Sequence, residues 1–186
     1  MAELNVLGIC GSLRRASRNA GLMRYACQHA PAGMHIEVAD LADVPFYNAD
    51  IAEKPAAVVR LLGQFQQADA ILFACPEYNY SLAPALKNAL DWASREPENR
   101  LLAGKPAAIM GAGGGMGTSR AQYHLRQVGV FLDLHFVNRP EVFSNAFSAS
   151  FDEHGNLLDE KIQKLIVQQL QMLAQLAATL RGQQAG

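Results

Sequence analysis

Short apolar runs alternate with stretches of helical spacing along the chain, and that alternation leaves few folds open. Residues 6–10 (VLGIC), 35–39 (HIEVA), 70–75 (AILFAC), 107–110 (AAIM) and 134–137 (LHFV) read as strands. Between them, residues 19–30, 56–67, 83–94 and 119–131 read as helices. Leu22, Met23 and Ala26 share a face of the first, and Val58, Val59, Leu62 and Phe65 a face of the second. Asp159 can cap a long last helix with one apolar stripe running from Ile162 to Leu180. Strands that alternate with helices form a parallel sheet covered on both faces. The run 70–75 contains no polar side chain, as burial on both faces requires. No repeat, low-complexity tract or linker interrupts residues 1–186, so one domain is expected.

In such sheets a ligand binds outside the carboxyl ends of the strands. Three polar or glycine-rich turns follow strands here and should meet at that edge. The first, "GSLRRASRN", carries Ser12, Arg14, Ser17 and Asn19. Backbone N–H groups at a helix start, small hydroxyls and a nearby cation are what an anion such as phosphate needs. Ser17 or Asn19 acting as an ordinary helix cap beside solvated arginines would explain the same residues. From Ser12 to Arg24 there are four arginines and no acid, which favours an anion. The Gly-Lys-Ser/Thr ending of a nucleotide triphosphatase loop is missing.

The second turn, "PEYNYSLAPALKNALDW", places two tyrosines, an asparagine and a serine at a strand end, where Pro76 forces the chain to turn. Leu86, Leu90 and Trp92 read as core, and Lys87 and Asp91 as a helix-surface pair. The third, "GAGGGMGTSR", fails the strict G-x-G-x-x-G pattern in both frames, at Met116 and at Thr118. Its glycines still let the backbone approach a planar ligand. Ser119 sits in a partial nucleophile-elbow pattern, with Asp133, His135 and His154 downstream, so a serine hydrolase is a distant alternative.

Other classes find less support. A net charge of −1 gives no field for nucleic acid. Three cysteines without C-x-x-C spacing argue against a disulfide framework or a structural zinc, and the five histidines lack metal-ligand spacing. Cys10 and Cys75 read as small core residues. No signal peptide or membrane span is evident, so a cytoplasmic location is expected. Half of the residues are hydrophobic while only 18% are charged, a balance that suits a large buried sheet or a subunit interface.

The three motifs together resemble the flavodoxin-like NADPH-dependent FMN reductases, in the chromate and quinone reductase branch. The resemblance runs from the first strand to about Asn145. It implies a three-layer fold with a five-stranded parallel sheet in the order 2-1-3-4-5. It also implies bound FMN, NADPH or NADH as hydride donor, and a small-molecule acceptor: a quinone, chromate, an azo compound or free flavin. Ser12, Arg14, Ser17 and Asn19 would hold the FMN phosphate. Pro76, Glu77, Tyr78, Asn79, Tyr80 and Ser81 would line the ring and ribityl chain, and Ala112, Gly113, Gly114 and Gly115 would cover the other side. Gly113 stands where a serine is common. No side chain is implied as acid or base, and no metal. A flavodoxin-type electron carrier is the competing reading, disfavoured by the near-neutral charge. The family's dimers or tetramers would be built through the Arg120, Tyr123 and Glu141 positions. Arg15, Arg18 or Arg24 could meet the 2′-phosphate of NADPH.

Overall fold

The computed structural model describes residues 3–184. From the N-terminal side the elements are β1 (Leu4–Cys10), α1 (Arg18–Gln28), β2 (Met34–Val38), α2 (Ala56–Gln67) and β3 (Ala70–Ala74). Then come β4 (Glu77–Tyr78), β5 (Ser81–Leu82), α3 (Pro84–Ala93), β6 (Pro106–Gly113) and α4 (Ser119–Phe131). Last are β7 (His135–Phe136), β8 (Val142–Asn145) and α5 (Glu160–Gln184). The main sheet is parallel in the order β2-β1-β3-β6-β7, with β8 also paired to β6.

This is the expected order, with one correction at its last position. Instead of one strand over 134–137, two short strands share the outer edge of β6. β7 sets Ala107 opposite Phe136, and β8 sets Met110 opposite Val142. Between these pairings lie two residues of β6 and five of the partner chain, so the intervening segment loops out of the ladder. Pro140, which has no N–H to give a ladder, lies in that segment.

α1 and α5 cover one face of the sheet, and α2, α3 and α4 the other. β3 is buried along its whole length, as its apolar sequence required. In α2, Val58, Leu62 and Phe65 point inward together with Leu61, whereas Val59 is exposed. The buried positions thus follow the helical spacing of three and four, and Val59 falls off that stripe. Asp159 does start α5: its Oδ1 accepts from the N–H groups of Lys161 and Ile162 at 2.9 and 3.2 Å. Gln169 of α5 is buried and donates from Nε2 to the carbonyls of Ile109 and Pro140, both at 2.9 Å. That link ties the outer edge of the sheet to the covering helix.

A loop after β8 packs onto α1. Gly21 is required there, because a Cβ would collide with the Gly155 carbonyl. Arg24 donates to Asn156 Oδ1 from Nε and Nη2, at 3.2 and 2.8 Å. It is therefore held against that loop rather than free in the first turn.

Candidate functional site

All three turns do open at the carboxyl edge. Ser12, Arg14, Ser17, Asn19, Pro76, Glu77, Tyr78, Ala112, Gly113 and Gly114 line one cleft of about 160 Å³. Arg18, which the sequence offered only for the 2′-phosphate of NADPH, lines it as well, as do Ala146 and Phe147, which the sequence did not point to. Asn79, Tyr80, Ser81 and Gly115 are not among its lining residues.

Ser17 is the cap of α1: its Oγ accepts from the Ala20 N–H at 3.2 Å, and its O–H remains able to donate. The N-terminus of α1 thus opens into the cleft, where helix geometry favours negative charge. Arg18 adds to this, since its Nε is buried without a hydrogen-bond partner. Asn19 has a different principal task. Its Oδ1 accepts from the Ala112 N–H at 2.9 Å, and its Nδ2 donates to the Ala112 carbonyl at 2.8 Å. Only the second hydrogen on Nδ2 is left for a ligand.

The second turn is a tight hairpin pairing Glu77 with Leu82 and Tyr78 with Ser81. Asn79 and Tyr80 join its strands at φ of 50° and 67°. Two left-handed central residues match the twist of a two-residue hairpin, but the conformation is unfavourable for tyrosine. The start of α4 holds this turn in place. Arg120 forms an ion pair with Glu77, and its Nε donates to Glu77 Oε1 at 2.7 Å. The Ala121 N–H reaches Glu77 Oε2 at 3.3 Å, and the guanidinium lies 3.7 Å above the Tyr80 ring centre. Glu77 thus brings no unpaired negative charge to the cleft. Tyr123 donates from its hydroxyl to Glu141 Oε1 at 3.1 Å within the same chain.

The glycines of the third turn divide into two kinds. A Cβ on Gly111 would strike Thr118, and one on Gly113 would strike the Gly117 carbonyl. Packing therefore dictates glycine at both positions, and a serine at Gly113 has no room in this backbone. Gly114 and Gly115 face open space. No packing contact of their own calls for glycine, and they leave room for something flat above the turn.

Burial disfavours the thiolates of Cys10 and Cys75. Burial pushes Cys75 up to about 12, helped by the nearby charge of Glu77, and burial raises Cys10 as well. The hydrolase alternative loses one of its histidines. Ser119 opens α4 at the carboxyl edge, whereas His135 pairs with Pro106 at the opposite end of β6. His154 lies beside Glu153 in the loop packed on α1. Among the described residues, no helix is long and apolar enough to cross a membrane.

Residues 4–149 match the family described as NADPH-dependent FMN reductase. An NAD(P)H-dependent FMN reductase of Pseudomonas aeruginosa is 52% identical, over 97% of this chain and 98% of that protein. An NAD(P)H:quinone oxidoreductase of Solanum tuberosum is 47% identical, over 96% and 95%. Among solved structures, the flavoenzyme NAD(P)H:(acceptor) oxidoreductase FerB from Paracoccus denitrificans superposes with a TM-score of 0.85. It shares 30% identity, over 95% of this chain and 98% of that one.

Proposed function

The chain belongs to the NADPH-dependent FMN reductase family, and from that premise we propose that it holds FMN in the carboxyl-edge cleft and reduces quinones with NAD(P)H. One observation carries the placement: residues of all three turns line a single cleft at the start of α1. The donor set suits the cofactor. Ser12, Arg14, Ser17 and the unpartnered Arg18 Nε offer hydroxyl and cationic partners for its phosphate. The open space above Gly114, which lines the cleft, suits its ring.

FMN, when bound, supplies the hydride chemistry between nicotinamide and acceptor. The protein's part is orientation and electrostatics. The start of α1 and the arginines fix the phosphate end. The hairpin and the glycine turn set the two sides of the ring site. No acid or base side chain is assigned, because the quinone takes one hydride from the donor and one proton from water to become hydroquinone. If the cleft admits one substrate at a time, the oxidised nicotinamide has to leave before the acceptor enters, which is ping-pong kinetics. Chromate, azo compounds and free flavin are further acceptors of such an open site. A homodimer or homotetramer using Arg120, Tyr123 and Glu141, and a cytoplasmic location, complete this reading. The three cysteines are unpaired, in keeping with a reducing compartment.

The test is an anaerobic titration. The protein's flavin absorbance should bleach on adding NADPH and return on adding 1,4-benzoquinone, and initial rates with both substrates varied should give parallel double-reciprocal lines. Bands that persist with both NADPH and NADH would leave an electron carrier instead. Intersecting lines would remove the ping-pong scheme alone.

A substitution checks the ring placement. Gly114→Val should leave the melting temperature within a few degrees, because its side chain enters open space. It should weaken FMN binding by about tenfold or more, because that space is where the ring is placed. Unchanged FMN affinity in a folded variant would move the ring elsewhere.

A further inference from the structure

A second cavity of about 540 Å³ opens beside the flavin cleft, between the first turn, the 41–46 loop and the start of α3. Its walls are apolar: Leu13, Leu41, Val44, Phe46, Pro84 and Ala85. Arg14 and Tyr78 line both spaces, so the cavity and the flavin cleft share a rim. No carboxylate lines it. Asn88 also borders the cavity, but its side chain is already in use. Its Oδ1 accepts from the Tyr47 N–H and its Nδ2 donates to the Pro45 carbonyl, both at 2.8 Å. Polar recognition is thus confined to the shared rim. At the lip, Phe46 is 76% exposed and Leu13 59%. Large apolar side chains gathered in water around a pocket of small-molecule size mark a place where an apolar ligand goes.

We infer that this cavity is an apolar subsite for the electron acceptor. It takes the isoprenoid or alkyl substituent of a quinone, while the quinone head reaches the flavin cleft past Arg14 and Tyr78. The inference rests on the reductase reading above. The nicotinamide donor is a poor occupant, because its phosphates and riboses would be stripped of water against apolar walls with only Arg14 and Tyr78 to replace it. Chromate is excluded for the same reason. The substituent does not react. Its burial contributes affinity and selects tailed quinones over bare ones.

Two variants of the FMN-loaded enzyme test this. Phe46→Ser removes an exposed wall, and Ala42→Trp fills the cavity from an exposed loop position. Steady-state rates with saturating NADPH are compared for 1,4-benzoquinone and a decyl-substituted benzoquinone. Both variants should lower kcat/KM for the decyl quinone by about tenfold, through KM. The rate with 1,4-benzoquinone and the KM for NADPH should stay as in the wild type. Unchanged decyl-quinone kinetics in both variants, or a rise in the NADPH KM in place of the decyl-quinone KM, overturns the subsite and leaves the reductase reading standing. Wild-type enzyme that bleaches with NADPH but reduces neither quinone overturns both.

Discussion

Asn19→Ala is expected to lower folding stability by roughly 2–6 kcal/mol, through two buried backbone groups left without partners at about 1–3 kcal/mol each. β3 gives out at this point: the Cys75 N–H donates to the Met110 carbonyl at 2.8 Å, and the chain then turns away. Ala112, two residues further along β6, has lost its neighbour on that side. The Asn19 amide takes the place of a strand's peptide unit, accepting from the Ala112 N–H and donating to its carbonyl. The residue is only 5% exposed, so water from the cleft replaces it poorly. A domain of this size is stable by about 5–15 kcal/mol, so the loss is a large share of the whole. It should appear as a fall in melting temperature of about 5–15 °C. Asn19→Asp should not rescue it, since a carboxylate oxygen would then face the Ala112 carbonyl. FMN affinity should fall as well, because Ala112, Gly113 and Gly114 line the cleft that this pair of bonds holds open. A variant that melts like the wild type would show that Ala112 finds other partners.

That pair also marks a limit of sequence reading. Apolar runs and helical spacing placed the central strands, β1, β3 and β6, and all the helices, because each depends on neighbouring residues in the chain. They brought the three turns to one edge too, since turns after parallel strands must share one end of the sheet. The partner of Asn19 lies 93 positions away, and nothing local announces it. Arg24 is similar. It looks like one more cation of the first turn, yet its partner Asn156 is 132 positions on. The 76–83 segment was legible as a turn but not as a hairpin, because a bulky tyrosine stands where a left-handed residue is needed and asparagine is the lone signal. Gly113 read as a departure from a serine, and only the third dimension shows that the Gly117 carbonyl forbids the serine. The apolar cavity escaped for the same reason. Leu13, Phe46 and Pro84 come from three separate segments.

The tyrosine in that hairpin leads to the second large effect, at Arg120. Tyr80 is kept at a positive φ against its own preference, at a cost of order 1–3 kcal/mol. The groups that hold it are identifiable: the Arg120 guanidinium on the Tyr80 ring, and the ion pair between Arg120 and Glu77 on the adjoining strand. The Glu77 side chain is 7% exposed and that of Arg120 37%, so Arg120→Ala strands a nearly buried carboxylate with little but the Ala121 N–H. Breaking a fully buried pair costs about 3–5 kcal/mol. The exposure of the arginine reduces this, and the loss is felt mainly as loosening of the hairpin. If the hairpin must be re-formed to bind the flavin ring, apparent FMN affinity falls by about tenfold to thirtyfold. Arg120→Lys keeps a charge but loses the planar stacking and the forked geometry, so an intermediate loss is expected. Adding Glu77→Gln to Arg120→Ala should recover the stability, because no charge is then stranded, but not the FMN affinity, because the hairpin stays unclamped. Flavin titration together with light scattering decides between two roles for this residue. An arginine that serves only between subunits would, once removed, lower the particle mass and leave FMN affinity unchanged. An arginine that clamps the hairpin would lower the affinity at any particle mass.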